Sequence, residues 1–507
     1  MDTYVLAVDI GTSNVKAGVF SAGGDLASLV RIEIPIYYPE PGAGVQRLSE
    51  IYDSTLRACE LALKQAGKDV EALSFSAQMH GLAVVGENGE EITPLITYLD
   101  TRPASVLKNI ELKTDPYRLY VETGCPPRFI YPLTKLVWLS QLAPNKFRNA
   151  RWFLSAKDYV MLKILGEPYI DKSVVSGSQL LDIGKLKWSS LALEIAGISE
   201  SKLPVLCDGE KVLCSIPEHI SSRLGLKSKT QIVLGASDGA LHSVGVGAIR
   251  RGVLALNIGT SGAVRSVSEY PLVDRDRAMR FFCYYIGYGL RLPGGAVNNA
   301  GIGLRWFRDE FGHVETSVAK LTGKDPYNIL TEEAEQVNPA SDNLIILPFL
   351  SGERFPMNNP YAKGVVFGLT LRHGKAHFIR ALMEGCLYTL KWIYDSMAEN
   401  GLEGLSIRTG GGGSRSPLWR QIQADIFNLP VEMLAVEEAS LLGAAAMGFV
   451  ALGVYKDISE AVDKMVKIVD VKYPNPKNHN KYVKTYSFYK KLYYTLEKLY
   501  IEHSQID

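Results

Sequence analysis

Asp9 closes an apolar, β-prone run and stands directly before the turn Gly11-Thr12-Ser13. Glycine lets a backbone bend and approach a ligand closely, and successive N–H groups then point into one concavity. With the hydroxyls of Thr12 and Ser13 beside those amides, the turn suits phosphate oxygens. A carboxylate there would repel phosphates unless a divalent cation lies between them, so Asp9 points to Mg²⁺. The same turn returns as Gly259-Thr260-Ser261, preceded this time by Asn257. One charged and one neutral copy fit a single metal ion serving both turns. Two further groups carry chemistry. Asp238, after the β-prone stretch 231–235, stands at a strand-to-helix junction, where a general base could meet a substrate hydroxyl; an N-cap is the alternative. Gly410 to Gly413 lie between a β-prone stretch and a helix, where a bare backbone suits a nucleotide.

Other chemistries lack their residues. None of the Gly-Lys pairs at 67, 184, 323 and 374 is followed by Ser or Thr, so there is no Walker A loop. No G-x-G-x-x-G follows a strand, and no G-x-S-x-G elbow is present. His373 and His377 have metal-ligand spacing, but no glutamate follows His373 and no third ligand is evident; they read as solvated residues at a helix start. The six cysteines form no C-x-x-C pair and read as free thiols in a reducing cytoplasm.

The elements that must hold these groups begin with a repeat. Leu6 to Ser13 and Leu254 to Ser261 are identical at six of eight positions, at an offset of 248 residues. Each copy reads as strand, polar turn, strand. Two domains that open on the same hairpin follow, 1–247 and 248–455, with a helical tail over 456–507 docked on the body. Helical spacing marks 50–66, 132–142 and 376–400, while 73–76 and 82–85 read as short strands. A tyrosine stripe from Tyr482 to Tyr500 forms one face of a terminal helix that packs on the body.

The whole-chain arithmetic agrees with a small-ligand protein. In 507 residues, 55 Lys plus Arg balance 54 Asp plus Glu, and 47% of residues are hydrophobic. Disorder is excluded as the main state, and no basic excess exists to neutralise nucleic acid. No signal peptide is evident at the start, and no apolar run approaches about 20 residues, so a cytoplasmic protein without membrane contact is expected.

Taken together the motifs resemble the FGGY carbohydrate kinases, of the sugar kinase, Hsp70 and actin superfamily. In order they are 8–13, Ser76-Ala77-Gln78-Met79-His80-Gly81, Asp100-Thr101-Arg102, Gly235-Ala236-Ser237-Asp238-Gly239, 257–262, Gly352-Glu353-Arg354, 411–413 and 440–445. The resemblance implies an α/β fold of two actin-like (ribonuclease H-like) domains around a cleft, with sugar held mainly by the first and ATP mainly by the second. It assigns Asp238 as the base and Asp9 as the Mg²⁺-linked carboxylate. Gly11, Thr12, Ser13, Lys16, Gly259, Thr260, Ser261, Gly411, Gly412, Gly413 and Ser440 become nucleotide-binding residues. Gln78, Met79, His80, Asp100, Arg102, Asp238, Asn298 and Arg354 become sugar-binding residues.

Segments 260–265, 294–301 and 304–311 lean to gluconate kinases within the family, and Gln78-Met79-His80-Gly81 to xylulokinases. Tyr98-Leu99-Asp100 departs from the Trp-x-Asp common in both. A carboxylate substrate would want a cation, and Arg102, Arg265, Arg305 and Arg354 are the candidates. The expected function is transfer of the γ-phosphoryl group of ATP to a terminal hydroxyl, of D-gluconate first and D-xylulose second. An actin-like ATP-binding scaffold without sugar chemistry is the alternative class. The partner expected is a small sugar or sugar acid; a homodimer is left open.

Overall fold

The computed structural model describes residues 3–435 and 437–506. Two mixed sheets organise the chain. The first has six strands: β1 (Tyr4–Ile10), β2 (Asn14–Ser21), β3 (Leu26–Glu33), β4 (Ala72–Ala77), β5 (Val212–Ser215) and β6 (Gln231–Ser237), in the order β5-β6-β4-β1-β2-β3. The second has seven: β7 (Val253–Ile258), β8 (Gly262–Arg265), β9 (Phe282–Gly287), β10 (Leu290–Val297), β11 (Ser406–Gly410), β12 (Val431–Leu434) and β13 (Ile468–Lys472), in the order β9-β10-β8-β7-β11-β12-β13.

The plans coincide. In each, an antiparallel hairpin is flanked by a third antiparallel strand, and its first strand then pairs in parallel with a distant one. Asp9 lies opposite Ser76 in the first sheet, and Asn257 opposite Gly410 in the second. The repeat seen in the sequence is thus a repeat of topology. β1 is buried on both faces from Val5 onward, which is why its residues up to Val8 are continuously apolar rather than alternating.

Seven helices matter below: α1 (Leu48–Ala66), α2 (Pro132–Leu142), α3 (Asp238–Gly245), α4 (Lys375–Glu399), α5 (Pro417–Phe427), α6 (Ala439–Ala451) and α7 (Pro476–His503). α6 belongs by sequence to the second half yet packs on the first sheet, with Gly448 against Val5 and Ser74. It crosses α3 at close range, Gly245 lying against Ala439. The two halves therefore meet through a helix pair beside the cleft.

Residues 456–507 contribute more than helices, since β13 forms an edge of the second sheet. α7 docks its tyrosine stripe on α4. Tyr482 Oη donates to Glu384 at 2.8 Å, and Tyr489 Oη and Thr389 Oγ1 lie 2.7 Å apart. At 482 and 489 these hydroxyls account for Tyr rather than Leu, since each buried ring finds a polar partner. All six cysteines are free thiols. No described helix is long and apolar enough to cross a membrane.

Candidate active site

Asp238 is the first residue of α3, and the helix is capped not by it but by Ser237, whose side chain accepts from the amide of Ala240. Asp238 is therefore not the N-cap, although its Oδ1 accepts from the first-turn amide of Gly239 at 2.6 Å, and its carboxylate lines the cleft. A bulge in β6 aims it there. The register with β4 shifts between Val233 and Ala236, and Gly235 adopts φ +68° where a Cβ would stand 1.9 Å from Phe75 O. Lys157, fully buried, holds the bulge by donating to Leu234 O at 2.9 Å and Ala236 O at 3.2 Å, and pairs with Asp171. Burial, reinforced by the charge of Asp9, pushes the Asp238 carboxyl up to about 6. That is the range in which a carboxylate still accepts protons effectively near neutral pH.

The first hairpin turn is braced from beneath. Ser76 Oγ donates to Asp9 Oδ1 at 2.6 Å, and Thr12 Oγ1 donates to Gln78 Oε1 at 2.9 Å. Gln78 Nε2 donates to Gly11 O and Gln46 Oε1, while Gln46 Nε2 donates to Thr12 O. Gln78 thus supports the turn as well as lining the cleft. Burial raises the Asp9 carboxyl above its ordinary range. Lys16 also reaches the cleft, but its ammonium is held by Glu438 at 2.7 Å, a carboxylate that Arg31 grips as well.

Beyond Gln78 in the same segment lie groups suited to a polyol. His80 has φ +70° and its Nδ1 lies 2.6 Å from Gly177 O. A carbonyl only accepts, so Nδ1 carries the proton and Nε2 keeps a lone pair for a hydroxyl. Burial holds the ring neutral, down to about 3. Lys135, wholly buried in the apolar α2, donates to His80 O, Ile96 O and Thr97 O and so clamps this backbone. Tyr98, Tyr284, Phe282, Phe355, Arg265 and Arg354 complete the lining of a cavity of about 390 Å³.

The same cavity is lined by Asp9, Gly11, Thr12, Ser13, Lys16, Gln78, Met79, His80, Asp238, Ser261 and Arg354 from the sequence-derived set. Others fall elsewhere. Asp100 and Arg102 do not reach it: Arg102 Nε donates to Asp100 Oδ1 at 2.9 Å, Glu40 takes another guanidinium nitrogen, and the group stacks 4.9 Å over Trp138. Asp100 Oδ2 accepts from Arg102 Nη2 as well as from the backbone amide of Gly44. They form a structural pair, and from this segment Tyr98 lines the cleft instead. Asn298 ties down the loop that carries Arg354, its amide donating to Glu353 Oε1 at 2.6 Å. Arg305 is exposed on the helix Gly301–Phe311.

Gly259 and Thr260 accept from Gly301 and Ile302 at the start of that helix, so their carbonyls are used structurally. Ser440 Oγ donates to Asp238 O at 3.3 Å. In the glycine run, a Cβ at Gly411 would stand 2.5 Å from Asn257 Oδ1 and one at Gly413 2.6 Å from Ile258, whereas Gly412 faces open space. Packing of β11 and its turn against β7 accounts for part of the bareness, and Gly412 leaves backbone open to a ligand. His373 and His377 are not simply solvated: His373 Nε2 contacts Asp342 O, and His377 Nε2 lies 3.3 Å from Asp342 Oδ2.

Gln46, Arg128, Lys135 and Lys157 escaped the sequence reading. A lysine inside an otherwise apolar helix face was the available signal for both Lys135, among Leu133, Leu136 and Leu139, and Lys157, among Ala156 and Val160. Nothing local marked Gln46 or Arg128.

Residues 4–245 match the FGGY family of carbohydrate kinases, N-terminal domain, and residues 254–452 match the C-terminal domain of the same family. The chain is 36% identical over 469 residues to a gluconokinase of Bacillus subtilis (strain 168), covering 92% of this chain and 91% of that one. It is 27% identical over 499 residues to a xylulose kinase of the same organism, covering 97% and 96%. The solved gluconate kinase from Lactobacillus acidophilus aligns with a TM-score of 0.93 at 29% identity, covering 99% of this chain and all of that chain.

Proposed function

This chain belongs to the FGGY family of carbohydrate kinases, ATP-dependent enzymes acting on small sugars, and from that premise we propose that it phosphorylates D-gluconate at its terminal hydroxyl to give 6-phosphogluconate. The observation that carries the substrate is the charge of the cleft. Arg265 and Arg354 both face the cavity that Asp238 lines, while the remaining polyol-facing groups, His80, Tyr98 and Tyr284, are neutral. With Arg265 beside Asp238, Arg354 is the cation left to favour an anionic sugar over a neutral ketose in this half-enclosed site.

Asp238 takes the proton of the attacking hydroxyl. The freed oxygen forms its bond to the γ-phosphorus as the bond from that phosphorus to the β–γ bridging oxygen breaks, and ADP leaves. His80 Nε2 accepts from a sugar hydroxyl, and the pair of hairpin turns, with the open backbone at Gly412, receives the phosphates. The donor set also fits Mg²⁺. Among the described residues no three His, Cys, Asp or Glu side chains cluster, but Asp9 offers one carboxylate to a cation that ordinarily takes one or two, completing its shell with water and phosphate. Such an ion would neutralise charge on the transferring phosphoryl group.

The test is ADP release over a panel of gluconate, xylulose, ribulose and glycerol. Gluconate should give the highest kcat/KM. Xylulose well above gluconate would replace the substrate reading, in line with the xylulose kinase relative, and release without any sugar would point to ATP hydrolysis alone.

A further inference from the structure

We propose that Arg128 is the residue by which the cleft selects an acid sugar, pairing together with Arg354 with the substrate carboxylate at the end of the chain remote from the phosphorylated hydroxyl. This deepens the gluconate reading and rests on it. Arg128 is only 3% exposed, and its guanidinium lies 4.1 Å from the ring centroid of Phe355, a wall of the cleft. Its Nε and Nη1 are buried and meet no acceptor among the described residues; Arg354 Nε, next door in the chain to Phe355, is buried and unmet as well. Leaving a buried donor without a partner is unfavourable, and more so for a charged one, so two such guanidinium groups, Arg354 lining the cavity and Arg128 stacked on its wall residue Phe355, call for an anion.

The neighbouring carboxylates do not supply it. Glu353 is occupied by the amides of Asn298 and Arg354 and by Asn299. Asp238 has a cation of its own in Arg265: a Cβ on Gly239, the next residue, would stand 3.0 Å from the Arg265 guanidinium. The phosphoryl chemistry therefore has its own cation, and the pair Arg128 and Arg354 is free for a second anionic group. Phe355 and the hydrogen-bonded Tyr131 and Tyr284 hydroxyls, 3.0 Å apart, keep the surroundings neutral. An extended six-carbon aldonate, with its terminal hydroxyl at Asp238, carries its only charge at the opposite end.

The probe pair is D-gluconate and D-glucitol, the same carbon chain with CH₂OH in place of the carboxylate, in ADP-release assays at saturating ATP and Mg²⁺. The wild-type protein should prefer gluconate by roughly 100-fold or more in kcat/KM. Arg128→Gln should shrink that preference by roughly 30-fold, mainly through the KM for gluconate. Arg128→Lys keeps a charge but not the fork, and should shrink it by about 5-fold; it decides the matter if the glutamine variant does not fold. A wild-type protein that turns over gluconate and glucitol alike, or variants that keep the wild-type ratio, would overturn the role of Arg128 while leaving gluconate as substrate. Absence of gluconate turnover beside brisk xylulose turnover would remove the gluconate reading and this inference with it.

Discussion

Replacing Asp238 by Asn should exchange turnover for stability. Burial and the nearby charge of Asp9 push this carboxyl up to about 6 from an ordinary 3.8. A shift of about two units, at 1.36 kcal/mol each, disfavours the ionised form by at most about 3 kcal/mol. The side chain is half-buried, so solvent screening reduces this to about 1–2 kcal/mol. The folded-state value is raised, so the penalty on the charge is full above about pH 6 and vanishes below about pH 4, where both folded and unfolded states bind the proton. Asparagine keeps the shape without the charge. Followed by thermal unfolding without nucleotide and with EDTA, the variant should melt about 1–3 °C higher at pH 7.5, with the gain shrinking toward pH 4.5. In ADP-release assays its kcat should fall by about 10²- to 10⁴-fold while ATP still binds. Turnover near the wild-type level would refute the base assignment. A lower melting point at pH 7.5, or a gain independent of pH, would refute the argument from a disfavoured charge.

The same carboxyl sets the acid side of the rate profile: kcat/KM for gluconate should rise with pH through about 6 and level off above it, and a profile flat from pH 5 to 8 contradicts the assignment. Asp9→Asn should raise the Mg²⁺ concentration for half-maximal activity by roughly tenfold or more with the fold intact, measured by Mg²⁺ titration of turnover; an unchanged requirement removes Asp9 from the metal site. Lys135→Met strips the donors from His80 O, Ile96 O and Thr97 O. It should cost about 2–4 kcal/mol in denaturant unfolding and raise the KM for sugar well above any change in that for ATP; equal effects on both would mean the clamp does not serve the sugar end.

The hairpins, the strand-to-helix junction that carries Asp238 and the double-domain plan were legible because each is written locally. A strand, a Gly-Thr-Ser turn and a second strand occupy about 15 consecutive residues, and repeating them exposes the architecture. The position of Asp238 was legible for the same reason, as a polar residue at the start of a helix that follows an apolar strand. What stayed hidden depends on partners distant in the chain. Arg102 looked like a sugar ligand because its neighbourhood matched a motif, yet Glu40, Asp100 and Trp138 claim its guanidinium. Arg128 looked like nothing, because its meaning lies in lacking a partner where Phe355 and Arg354 converge, 227 and 226 positions along. Ionic side chains are the hardest to place from sequence. Their energetics are set by what folding puts within a few ångströms, and the same guanidinium is a structural strut when paired and a ligand site when left bare. The proposed specificity of this cleft therefore rests on a comparison of arginines rather than on any one motif: Arg102 is satisfied, Arg305 is solvated, Arg265 stands beside the segment that carries Asp238, and the buried Arg128 and half-buried Arg354 each keep a buried nitrogen with no acceptor.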